Sequence, residues 1–325
     1  MRDGFFGVKA PSGRRTVAIA ASALLIVSAI SIGSAVPATA TPYSSSSSNL
    51  ANAYWSQYAP AMSDTVGWTG SVSGCNAGTT SASSQQLSLS AINFDRALAG
   101  LDPITLDSAL SLKAQQAALV MSANSALSHD VPSSWKCYTS TAHAAAASSN
   151  LYLGEAGAKA IDGYMVDPGT SNSAVGHRRW ILYPPTTTMG TGSTSNSNAL
   201  YVFGKMATAG NYTNPKWVAW PTSGYFPTQL EPNGKWSLSG SVGHTWNFSH
   251  ATVRVTNSSG TALSVRVYKS QNGYGANTLV WVVSGLKHPT GSTSISYRVT
   301  VRGIVVGHQT TSHAYTVRLI KPATS

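Results

Sequence analysis

At about residue 213 the chain changes its period. Before it, apolar residues recur every three to four positions in alanine-rich segments; after it, they alternate with polar ones. The alternating segments are 252–256, 263–268, 279–283, 295–301 and 315–320, with Asn257-Ser258-Ser259-Gly260 as a turn between the first two. Their spacing fits an all-β, immunoglobulin-like sandwich over 213–325. Pro215, Pro221, Pro227 and Pro232 punctuate a connecting stretch that leads into it. Helices and strands kept apart in this way predict an α+β fold rather than a wound α/β one.

The first half reads as helices with short strands. Leu89, Ile92, Phe94 and Leu98 place a helix over 85–99 that ends at Gly100. Asp107 stands where an N-cap belongs, and Leu110, Ala114, Ala117, Ala118 and Met121 continue at helical spacing to about Asn124. Ser128-His129-Asp130-Val131-Pro132 follows as an irregular loop. The run 142–149 is again alanine-rich, and a helix over 156–165 stops at Asp167-Pro168-Gly169. Strands are expected over 188–192 and 198–205.

The N-terminus points to export. Arg2, Lys9, Arg14 and Arg15 precede an apolar run over 17–32 and the small-x-small pattern Ala38-Thr39-Ala40, so residues 1–40 read as a signal peptide. A retained membrane anchor is the rival reading, and Arg14-Arg15 leaves both the general and the twin-arginine route open. Residues 41–84 read as a leader, flexible through the serine tract 44–48 and then partly ordered. Cys75 and Cys137, an isolated pair in a chain read as exported, are expected to form one disulfide. Charged residues make up only 10% of the sequence, well under the usual quarter. They are unevenly placed: residues 213–325 hold ten bases and one acid, Glu231, whereas 41–212 hold seven bases and eight acids.

Several motifs carry a resemblance. Asn93-Phe94-Asp95-Arg96 leads to Gly100-Leu101-Asp102-Pro103, the next helix runs to Ser128-His129, and Asn150-Leu151, Tyr164-Met165, Pro168-Gly169 and Gly176-His177-Arg178-Arg179-Trp180-Ile181-Leu182 follow in order. Met189-Gly190-Thr191-Gly192 closes the series. Residues 85–212 thus resemble the bacterial CAP superfamily, the SCP-like extracellular domain. The resemblance implies an α-β-α sandwich with a groove between two histidine-bearing loops. It also implies a cavity tetrad of two histidines and two acids, one of them a Glu before the Asn. His129 and His177 match, but Ser149 occupies the place of that Glu. Glu155, Asp162, Asp167 or His143 stand near enough in sequence to substitute.

Two imidazoles facing a groove can hold Zn²⁺ if a third ligand joins them. They can also serve a hydrolase, with Asp167 or Glu155 orienting His177; on that alternative the candidate catalytic residues are His129, His177 and Glu155. No Gly-x-Ser-x-Gly or His-Glu-x-x-His occurs. Glu155 and Glu231 are the only glutamates and fall in different halves, which counts against a glycosidase pair. Arg178 and Arg179, directly after His177, could hold a phosphate or carboxylate in the groove, where Arg178 is placed with Asp167. The favoured alternative turns one Arg outward and pairs the other with a structural acid such as Asp167. The expectation is therefore a secreted binding or adhesion protein. Its groove would take a small apolar or peptide ligand. Its basic β-rich module would meet an anionic cell-wall polymer or a membrane surface. No recognition motif supports nucleic acid.

Overall fold

The computed structural model describes residues 43–323. The signal-peptide expectation lies outside the described residues, and among these no helix is long and apolar enough to cross a membrane. In chain order the elements begin with α1 (Ser47–Ala53), continued by a π turn and a 3-10 turn to Ser63, then α2 (Ala82–Leu98), β1 (Thr105–Leu106), α3 (Ser108–Asn124) and α4 (Ser140–Ala147). β2 (Ser149–Leu153), α5 (Gly157–Val166), α6 (Gly176–Ile181), β3 (Thr188–Ser193) and β4 (Ser197–Tyr201) complete the first half. The second half holds β5 (Trp217–Trp220), β6 (Gly224–Pro227), β7 (Lys235–Gly240), β8 (Trp246–Asn247), β9 (Thr252–Asn257), β10 (Ser264–Val267), β11 (Thr278–Ser284), β12 (Ile295–Val306) and β13 (Gln309–Ile320).

The first half is an α-β-α sandwich. Its sheet runs β1-β3-β4-β2. Alternation along β4 sends Ala199 to one face, against the alanines of α3 and α4, and Leu200 to the other, against α2 and α5. Alanine on α3 lets helix and sheet approach closely, and the strand must match it. A Cβ on Gly190 would strike the backbone of Leu110 and Ser111, and one on Gly192 the backbone of Gln115. Asp107 caps α3 by accepting from the Leu110 N–H at 2.9 Å.

The second half is two facing sheets, β10-β11-β7-β5 and β6-β13-β12-β8, with β9 also paired to β12. Trp236 and Trp281 of the first sheet share a core with Tyr297, Val299 and Val317 of the second. Strands β5 and β6 occupy the stretch that its prolines mark as a connection, and β7 and β8 lie between it and the first expected strand.

The serine tract 44–48 is ordered, contrary to expectation. Ser46 caps α1, and Tyr43, Tyr54 and Tyr58 pack around Phe94 of α2. Burying three tyrosine rings beside a phenylalanine outweighs the intrinsic flexibility of serine. One apolar cluster runs without interruption from Leu50 through Ile161 to Ile320, and the described residues form one unit. The Cys75–Cys137 disulfide ties the segment before α2 to the loop before α4.

Candidate functional site

Two loops bring His129 and His177 to one groove. His129 leaves the end of α3, where Ser125 turns the chain at φ 48°. Its Nδ1 lies 2.9 Å from the carbonyl of Ala146 in the last turn of α4. A carbonyl only accepts, so Nδ1 carries the proton and Nε2 keeps a lone pair.

His177 is set by α5 and α6. Asp167 ends α5 in the left-handed region (φ 52°, ψ 58°), and Val175 opens α6 at φ 45°. A β-branched residue in that region is strained. The two bends return the chain so that Asp167 meets His177: Oδ2 accepts the backbone N–H at 3.1 Å and Oδ1 accepts Nδ1–H at 2.9 Å. Asp167 is fully buried. The Tyr164 ring packs against the imidazole at 5.4 Å, and Asn150 donates to the His177 carbonyl at 3.0 Å. Nε2 of this ring is likewise left without a partner among the described residues.

The groove consists of two adjoining cavities of about 400 and 450 Å³, and both histidines line both. One side adds Asn150, Trp180, Phe203, Gln271 and Tyr274; the other adds Leu151, Tyr152, Leu153 and Pro168. Trp180 and Phe203 meet edge to face at 4.7 Å. The surface is thus mixed, with aromatic and aliphatic walls sharing the lining with polar groups such as Ser148, Asn150, Asn172 and Gln271.

Tyr274 and Gln271 come from the loop between β10 and β11, so the β-rich half supplies part of the wall. Arg179 anchors that loop: its Nη atoms donate to the carbonyls of Gln271 and Ala276, each at 2.8 Å, and its guanidinium lies 5.4 Å from the Tyr274 ring. Tyr274 closes over Gly176, where a Cβ would touch the ring. Sequence reasoning missed Tyr274. Its one signal is an aromatic set between Gly273 and Gly275, outside any strand pattern.

Arg178 does not line the groove. It is buried, donating from Nε to Met165 O at 2.6 Å, from Nη1 to Lys235 O and Ser237 Oγ, and from Nη2 to Val166 O. Lys235 answers by donating to the carbonyls of Asp167 and Gly169 at 2.6 and 2.7 Å. Burial lowers the pKa of both Arg178 and Arg179 to about 10, so both stay charged at neutral pH, and nearby Asp167 and Glu231 favour the charge on Arg178. These two bases fasten the halves together, and neither is free to hold a ligand anion. Asp167 also stands behind His177 rather than in the cavity lining.

The other acids lie elsewhere. Glu155 is exposed and lines neither cavity. Asp162 accepts from the Tyr58 hydroxyl at 2.7 Å, on the side of α5 toward α2, where burial raises its pKa. His143 holds the Val131 carbonyl at 3.1 Å. Ser149, in the place of the expected Glu, is buried and donates to Ala145 O at 2.7 Å. Among the described residues no three His, Cys, Asp or Glu side chains gather as a metal-binding group. The residues present do not fit a zinc site.

Residues 89–212 match the family model of CAP, the cysteine-rich secretory protein family. No curated protein matches the chain.

Proposed function

We propose that this chain, with a CAP domain over residues 89–212, is a secreted binding protein. Its groove takes a peptide or a small amphipathic molecule, and its basic β-rich half holds it at the cell envelope. The observation that carries the reading is the groove itself. Two imidazoles with fixed tautomers sit among Trp180, Phe203, Tyr274 and Leu151. Each Nε2 accepts one hydrogen bond from a ligand, and the aromatic walls supply the contact area.

A second reading, a hydrolase, has one observation in its favour. Asp167 fixes the His177 tautomer as a carboxylate does for a general base. Against it, among the described residues no hydroxyl or thiol is hydrogen-bonded to either imidazole.

The two readings separate in one experiment. The chain from residue 41 and its His129→Ala/His177→Ala variant are incubated with casein and with peptidoglycan. In parallel, imidazole ¹⁵N resonances are followed during titration with unstructured peptides and medium-chain fatty acids. Ligand-induced shifts without turnover support the binding reading. Turnover that the double variant loses replaces it with the hydrolase.

A further inference from the structure

The five-stranded sheet has an outer face built differently from the rest of the surface. Along β12, Tyr297, Val299 and Val301 point into the core, so Arg298, Thr300 and Arg302 point out. Strand register sets Arg298 between Thr256 of β9 and Thr316 of β13, Arg254 opposite Thr300, and Arg302 opposite Thr252. Arg254 therefore lies diagonally between Arg298 and Arg302, and the three border a shallow cavity of about 460 Å³ with threonines between them. Arg318 of β13 continues the face, opposite Ser296 and 5.6 Å from the Tyr225 ring.

No acid among the described residues neutralises this charge. None of these arginines forms an ion pair among the described residues. Glu231, the one acid of residues 213–325, is buried and receives the Gly234 N–H and the Trp236 Nε1–H. Like charges set side by side on a sheet repel one another, and an anion relieves that repulsion.

We propose that this face binds a linear polymer of simple polyol units linked by phosphodiesters. Guanidinium forks match phosphate oxygens two at a time, and threonine hydroxyls between them suit the hydroxyls of the linking units. Diagonal neighbours on a sheet stand roughly 7–8 Å apart, a repeated spacing that suits successive charges of a polymer better than one compact ion. The face offers threonine where a membrane-inserting surface would expose aliphatic or aromatic side chains. The proposal makes specific the envelope attachment read above and uses no residue of the groove.

The test uses the chain from residue 41, with short poly(glycerol phosphate) as probe, titrated at 50 and 200 mM salt. The expected result is binding that weakens roughly tenfold or more between the two salts, as three to four phosphate contacts require. The Arg254→Gln/Arg298→Gln/Arg302→Gln variant is expected to bind at least tenfold more weakly. The Arg266→Gln/Lys269→Gln/Lys287→Gln variant, with the same loss of charge elsewhere, keeps most of the affinity. All six side chains are exposed or half-buried at the surface, and unchanged melting curves check that both variants fold. Equal loss in the two variants overturns the proposal. So does tighter binding of polygalacturonate, a single-stranded oligonucleotide or phosphatidylglycerol vesicles than of the phosphodiester polymer, and so does no binding of that polymer. Groove histidine resonances that still shift with peptide or fatty acid would leave the groove reading standing in each of those cases.

Discussion

Asp167 grips His177 at two points, one oxygen on the backbone N–H and the other on Nδ1–H. The residues are ten apart in sequence and meet because α5 and α6 are joined through two left-handed turns. The carboxylate itself lines neither cavity. It decides which imidazole nitrogen is free.

Asp167→Asn tests that role. An amide keeps one acceptor but turns N–H₂ toward a donor, so one of the two bonds is lost in a buried place. Unfolding in urea is expected to show a loss of about 1.5–3 kcal/mol. In ¹⁵N spectra the His177 ring should change from one tautomer to a mixture, while His129, held by Ala146, stays as it was.

Arg96→Lys probes a buried cation held by carbonyls. Arg96 donates to Asp102, Ile181, Tyr183, Pro184 and Thr186, at 2.7 to 3.4 Å. Burial lowers its pKa to about 10. An ammonium has three donors, so at least two carbonyls lose their partner, each at a cost of about 1–3 kcal/mol. Stability in urea is expected to fall by about 2 kcal/mol or more, with faster amide exchange around residues 181–186.

Asp95→Asn gives a pH dependence of known sign. The Asp95 carboxyl is fully buried and has no hydrogen-bond partner among the described residues. Burial, reinforced by Asp162, raises its pKa well above the usual carboxylate value. The folded chain then holds a proton that the unfolded chain releases above about pH 4. As pH rises through that window, this residue removes up to about 1.4 kcal/mol of stability per pH unit, until the folded group also ionises. Denaturation at pH 4, 5.5 and 7 should therefore show the Asn variant gaining on the parent as pH rises.

Removing the disulfide tests the tie across the first half. Cys75 and Cys137 are 62 residues apart, and closing such a loop stabilises by about 4 kcal/mol on the chain-entropy model. Cys75→Ser/Cys137→Ser is expected to lower the denaturation midpoint by a corresponding amount. The parent treated with reductant should match it.

Local signals carried the sequence reading a long way. Asp107 is visible as a cap because capping needs only three following residues, and the strands from β9 onward show their alternation directly. What escaped needs tertiary contacts. Helix α6 has six residues and begins at a strained valine, so no periodicity marks it. Strands β5 and β6 hide among prolines, and β7 and β8 are short or lack clean alternation. Arg178 next to His177 reads as a ligand group because a sequence cannot distinguish a guanidinium facing solvent from one enclosed by carbonyls. Tyr274 meets Gly176 across almost one hundred residues, and nothing in either segment announces the other.

The hairpin between β10 and β11 gives the groove one jaw that can be exchanged. The other jaw, with its histidines, is locked by Asp167, Ala146 and the sheet. Arg179 grips the hairpin through two backbone carbonyls, which any residue provides, and through the face of the Tyr274 ring. Side chains at 271, 272 and 274 can thus vary in size and polarity while Gly273 and Gly275 hold the positive-φ turns that seat the loop. Ligand preference can drift among descendants, or be altered by design, through one short hairpin that leaves the imidazoles untouched.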